Sequence, residues 1–102
     1  MYLIQLLVPL FDNNEQKFPA DYFSETRDEL TERFGGVTAF FRSPAVGLWK
    51  ESDEDMHRDE VVLFEVMASE LDEDWWREYR LGLQRKFRQE EMLIWATSVT
   101  KL

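Results

Sequence analysis

The sequence contains no cysteine and only one histidine, His57. Without cysteine there can be no disulfide bond, no thiolate catalysis and no cysteine-ligated metal, and the composition fits a reducing compartment. One histidine also excludes a metal site that is built from several histidines. We therefore expect a cytoplasmic protein with no bound metal and no cofactor.

Basic residues are scarce as well. The chain has 12 lysines and arginines against 21 aspartates and glutamates, which gives a formal net charge of −9. Nucleic-acid binding needs Lys and Arg to neutralise phosphates, and no basic stripe is present. The apolar opening, MYLIQLLVPLF, lacks the basic region and cleavage site of a signal peptide and is too short to span a bilayer. We expect neither nucleic acid nor a membrane among the partners.

Apolar residues, by contrast, are plentiful. Hydrophobic residues make up 44% and charged residues 32% of the 102 positions, which are values typical of a globular chain. This length predicts a single domain over residues 1–102 with one core. Aromatic residues reach 15%, which is more apolar surface than a small monomer readily buries. An interface or a ligand pocket is therefore expected.

Six secondary-structure elements follow from periodicity and from turn residues. Phe23, Leu30 and Phe34 recur at helical spacing, and Gly35 provides the left-handed stop that commonly ends a helix. Asp72 is suited to cap a second helix. The predicted elements are a strand at Tyr2–Leu10, a helix from Pro19 to Phe34, a strand made of Val37–Arg42 and Val46–Lys50, a strand at Glu60–Ala68, a helix after Asp72, and a strand at Met92–Val99.

This βαββαβ order predicts an α+β, ferredoxin-like fold, with a four-stranded antiparallel sheet and two helices on one face. The other face of the sheet would then be apolar and uncovered, which small soluble monomers seldom tolerate. We therefore expect a homodimer in which two sheets pack face to face. The residues predicted to form that contact are Leu3, Leu7, Leu63, Met67, Leu93 and Trp95.

Several short motifs carry a resemblance to known proteins. They are Phe18-Pro19, Glu29-Leu30, Arg33–Gly36, Thr38–Phe40 and Gly47–Trp49. With them the chain resembles the dimeric α/β-barrel branch of the ferredoxin-like proteins, and it looks like a group of small uncharacterised bacterial proteins. The resemblance implies a sheet-to-sheet dimer, but it implies no catalytic residue. The wider superfamily includes cofactor-independent monooxygenases and isomerases, and the fold alone does not choose among them.

Three polar residues lie on strands that are otherwise apolar. Gln5, Arg42 and Glu65 are expected on neighbouring strands and on the face without helices. A glutamate in an apolar strand is costly unless it is paired, and Arg42 is the predicted partner. The pair would either fix the register of a dimer or anchor a small ligand. Trp49 would supply an apolar wall beside it.

The segment ESDEDMHRDE (residues 51–60) surrounds His57 with acidic residues. It does not match a calcium-binding loop, and adjacent acids at a hairpin tip are usually solvated. His57 is a candidate general base or ligand-binding residue, but it has no evident nucleophile partner.

Two classes of function remain open from the sequence. The first is a homodimeric binding or interaction protein without catalysis. The second is a small cofactor-independent enzyme, resembling monooxygenases or isomerases, that acts on a small organic molecule. In both classes, the candidate ligand-binding residues are Gln5, Arg42, Trp49, His57 and Glu65.

Overall fold

A computed structural model describes residues 1–42 and 60–102 of the chain. The second half of the predicted second strand, Val46–Lys50, and the acidic segment around His57 lie outside the described residues. The observed elements are β1 (Tyr2–Pro9), α1 (Ala20–Phe34), β2 (Thr38–Arg42), β3 (Val61–Ala68), α2 (Glu73–Lys86) and β4 (Leu93–Ser98).

The four strands form one antiparallel sheet in the order β2-β3-β1-β4. The two central strands, β1 and β3, pair along their full length, from Tyr2 opposite Ala68 to Pro9 opposite Val61. The predicted ferredoxin-like α+β fold is confirmed, because the element order, the strand pairing and the two helices of the described residues all agree with it.

Local sequence signals explain where both helices begin and end. Gly35 adopts a left-handed conformation with φ of 82°, and its N–H donates to the carbonyl of Thr31. Glycine tolerates this φ at little cost, so α1 ends there. At the start of α2, the side chain of Asp72 accepts a hydrogen bond from the backbone N–H of Trp75, as predicted for an N-cap.

The core lies between the helices and one face of the sheet. Alternate residues of β1, namely Ile4, Leu6 and Val8, are at most 1% exposed, as their period of two predicts. Both helices contribute to the same buried cluster. Its members are Ile4, Leu6, Val8, Phe18, Leu30, Val62, Phe64, Val66, Trp76, Leu83, Phe87 and Met92.

Aromatic rings join the two helices at one end of this core. The ring of Phe34 stacks on Trp76 at 5.1 Å between centroids and meets Trp75 edge-on at 5.4 Å. Trp75 also stacks on Tyr79 at 4.9 Å, and the guanidinium of Arg33 lies 4.2 Å from its ring centroid. Two adjacent helical tryptophans cannot both face the core, and here α1 supplies ring and cation contacts to Trp75 within the chain.

No helix in the described part of the chain is long and apolar enough to cross a membrane.

Candidate functional site

The outer face of the sheet, opposite the helices, is organised in cross-strand rows. Because side chains alternate along a strand, residues paired in register on adjacent strands share a face. Two rows span all four strands, and two others span three. In the strand order β4, β1, β3 and β2, the four-strand rows are Leu93–Leu7–Leu63–Phe40 and Trp95–Gln5–Glu65–Thr38. The three-strand rows are Thr97–Leu3–Met67, which lacks β2, and Pro9–Val61–Arg42, which lacks β4.

Several large apolar side chains on this outer face are exposed to solvent. Leu93 is 53% exposed, Phe40 44% and Met67 43%. Leu63, which we expected to be bare, is only 5% exposed, since it lies on a central strand between the register neighbours Leu7 and Phe40. The exposed apolar surface therefore lies on the edge strands and at the end of β3, where Met67 has no partner on β2.

Three side chains of the middle row form a hydrogen-bonded chain across the sheet. The indole N–H of Trp95 donates to Gln5 Oε1 at 2.6 Å, and Gln5 Nε2 donates to Glu65 Oε2 at 3.2 Å. The side-chain amide of Gln5 has an acceptor and donors on one planar group, so it can connect an N–H on one side to a carboxylate on the other. The outer face thus carries a polar row, Trp95–Gln5–Glu65, between two apolar rows.

The polar row has the chemistry of a small-molecule subsite. An ionised carboxylate accepts several hydrogen bonds, so Glu65 can receive donors from a ligand in addition to the amide of Gln5. Trp95 is 40% exposed, which leaves part of its ring available for stacking against a planar group.

The structure brings some of the sequence-predicted site residues together. Gln5 and Glu65 are cross-strand partners joined by a hydrogen bond. The register places Arg42 opposite Val61 and Glu65 opposite Thr38, so four residues of β3, about 13 Å, separate the two positions along the strand. The side chain of Arg42 lies outside the described residues, and its pairing with Glu65 stays a prediction.

Trp49 and His57 also lie outside the described residues. Sequence reasoning treated Trp95 as an apolar member of the outer face and missed its polar function. The signal was available, because an indole N–H on the same face as a glutamine is a donor next to an acceptor. Within residues 1–42 and 60–102, no three acidic or histidine side chains are grouped so as to hold a metal ion.

The helical side carries one strongly perturbed titratable group. The hydroxyl of Tyr79, on α2, donates to Glu29 Oε1 on α1 at 3.3 Å. Burial raises the pKa of Tyr79 well above its ordinary value, and the negative charge of Glu29 adds to the effect. The phenol therefore stays protonated and links the two helices.

Comparisons with known proteins place the fold. No protein-family model and no curated protein matches the sequence. Among solved structures, the chain is similar to a phage SAM lyase in complex with S-methyl-5′-thioadenosine, with a TM-score of 0.57 and 11% sequence identity. The alignment covers 95% of this chain and 80% of that chain. At this identity the likeness establishes a shared fold, in agreement with the observed sheet order.

Proposed function

We propose that the protein is a homodimer that binds a small organic molecule between the outer faces of two sheets. The observation that carries this proposal is the polar row, Trp95–Gln5–Glu65, set in the middle of an apolar and partly exposed face. A second copy would cover the apolar rows, and the polar row would then line an enclosed site.

The charge distribution favours a second copy as the occupant of the outer face. The chain has a net charge of −9, so two copies repel each other over most of their surfaces. Among the positions that the strand register places on the outer face, only Glu65 and Arg42 are charged, and their charges are opposite. The outer face is thus the surface where like copies meet with the least repulsion.

The dimensions of the outer face also suit a dimer. Four strands spaced about 4.8 Å apart, with central strands of eight residues, give a face of about 19 by 26 Å. The flat area of such a face is about 490 Å², so a dimer would bury about 1,000 Å² in total, which is the lower limit for a specific interface. Sheets that pack face to face lie about 10 Å apart with interdigitated side chains between them, so a ligand requires a wider gap at the polar row.

The same polar row defines the class of ligand. A buried carboxylate needs donors, so the ligand should carry hydroxyl or amine groups. The exposed ring of Trp95 favours a planar group beside those donors. A nucleoside thioether has both features, with ribose hydroxyls for Glu65 and a purine ring for Trp95.

A small cofactor-independent enzyme is the second candidate function. It is favoured by the fold shared with a SAM lyase whose structure holds S-methyl-5′-thioadenosine. In that case Glu65, the carboxylate of the polar row, would take a proton from the amino-acid chain of S-adenosylmethionine while the sulfonium C–S bond breaks, which releases S-methyl-5′-thioadenosine and an unsaturated amino acid.

A thermal-shift titration with S-methyl-5′-thioadenosine tests the binding proposal. Ligand that binds the folded state raises the melting temperature in a saturable way. We expect this rise for the wild type and for the control variant Glu70→Gln, since Glu70 is exposed beyond the end of β3. Glu65→Gln should abolish it. No rise in the wild type, or an equal rise in both variants, would contradict the proposed site.

The second candidate needs a turnover assay. The wild type is incubated with S-adenosylmethionine, and S-methyl-5′-thioadenosine is quantified by mass spectrometry. Product formation that is lost in Glu65→Gln but kept in Glu70→Gln supports the enzyme. Saturable binding without product supports the binding protein.

A further inference from the structure

A cavity lies on the helical side of the sheet, between α2 and the edge strand β4. Its volume is about 220 Å³. The face of α2 contributes Trp76, Arg77 and Arg80, and β4 contributes Ile94 and Ala96. The cleft shares Trp95 with the polar row, but the other β4 residues that line it, Ile94 and Ala96, pair in register with the inward residues Leu6 and Ile4.

Arg80 is the unusual residue of the cleft. Its Nε is buried and has no hydrogen-bond partner in the described structure. Other arginines do find a carboxylate: Arg27 pairs with Asp28 and Arg77 with Asp74. Arg80 has no carboxylate partner among the described residues, so its positive charge remains available to an anion in the cleft.

The other side chains that line the cleft limit the size and the charge of a molecule that could bind there. Trp76 is only 6% exposed, and Ile94 packs against the hydrophobic core, so one side of the cleft is apolar. Pockets for drug-sized ligands have volumes of about 300–1,000 Å³. Because this cleft is smaller, a molecule that binds in it must be small. Glu73 also lines the cleft, and its negative charge disfavours an anion with more than one charge.

We propose that the cleft binds a small organic monocarboxylate. The planar guanidinium of Arg80 matches the two oxygens of a carboxylate bound in the cleft. Arg77 adds a second positive charge at the mouth of the cleft. The apolar or aromatic part of the ligand lies against Trp76 and Ile94. This inference does not depend on the function proposed for the outer face.

Benzoate is a suitable probe, since it is a planar monocarboxylate of the right size. Its binding is followed by the intrinsic fluorescence of the tryptophans that line the cleft, Trp76 and Trp95, at constant ionic strength. We expect saturable binding with a Kd of about 1 mM or tighter. Arg80→Gln should weaken binding more than about tenfold, because it removes a charge-assisted pair of hydrogen bonds.

Two further variants keep the test decisive. Arg27→Gln is the matched control, since Arg27 lies on the exposed surface of α1, and its Kd should match that of the wild type within about twofold. Ala96→Phe fills the cleft from β4 without touching any charge and should also abolish binding, which covers the case that Arg80→Gln fails to fold. No saturable binding at about 20 mM benzoate, or unchanged binding in both cleft variants, would overturn the proposal.

Discussion

Gln5 is predicted to hold the polar row together, and the variant Gln5→Met tests this directly. Methionine has the same unbranched length and keeps the packing of the side chain. It removes both hydrogen bonds of the amide, the one from Trp95 at 2.6 Å and the one to Glu65 at 3.2 Å. A neutral hydrogen bond contributes about 1 kcal/mol and a bond to a charged group about 1.5–3 kcal/mol.

The expected loss is smaller than that sum, because water can partly replace the amide at these half-exposed side chains. We expect the free energy of unfolding to fall by about 1–2 kcal/mol, which lowers the melting temperature by about 4–10 °C. The matched control is Gln16→Met, an exposed glutamine in a turn, which should change stability by less than about 0.5 kcal/mol.

Urea unfolding of the single and double variants of Gln5 and Glu65 gives the coupling energy between the two side chains. All of these variants are made in a Leu93→Lys background, so that dimerisation does not contribute to the measured free energies of unfolding. A coupling of at least about 0.5 kcal/mol is expected for residues in direct contact. A coupling below about 0.3 kcal/mol, together with a Gln5→Met variant as stable as Gln16→Met, would refute the structural role of the row.

Three further predictions concern the two helices that pack on the sheet. Asp72→Ala removes the cap on the N–H of Trp75 and should lower stability by about 1 kcal/mol in a thermal melt followed by circular dichroism. Gly35→Ala should cost about 1 kcal/mol because its φ is 82°, whereas Gly36→Ala, with no positive φ and no atom near its added Cβ, should cost much less in urea unfolding. The pKa of Tyr79 is raised in the folded state, so its contribution to stability is complete below the ordinary tyrosine pKa of 10.0 and is lost as the pH rises above it. Unfolding free energies measured from pH 8 to 11 should therefore fall more steeply for the wild type than for Tyr79→Phe, and equal slopes would contradict the assignment.

Much of the fold could be predicted from the sequence because local and long-range signals agree. β1 is apolar on both faces except at Gln5, and the period of two groups Ile4, Leu6 and Val8 on the face opposite Gln5, where all three are buried. Gly35 and Asp72 marked the end of α1 and the start of α2. Each signal depends on one residue, since glycine tolerates the left-handed conformation and an aspartate side chain accepts a hydrogen bond from a backbone N–H of the first turn.

The candidate site was harder to predict, because it depends on register between strands that are distant in sequence. Gln5 and Glu65 were expected on one face, but only the pairing of β1 with β3 makes them direct partners. The same register sets Arg42 opposite Val61 rather than beside Glu65. Trp95 joins the row through β4, which pairs with β1 across 90 residues of sequence, and no local pattern reports such a contact.

The central claim is that the outer face of the sheet joins two copies of the chain. Sedimentation equilibrium at micromolar concentration tests it, with Leu93→Lys as the interface variant and Leu102→Lys as the matched control. Leu93 is 53% exposed on the outer face, whereas Leu102 is fully exposed at the end of the chain, so neither substitution disturbs the core. We predict the mass of a dimer for the wild type and for Leu102→Lys, and the mass of a folded monomer for Leu93→Lys, because each copy would bury an unpaired charge. A monomeric wild type, or a dimer that Leu93→Lys leaves intact, would contradict the claim.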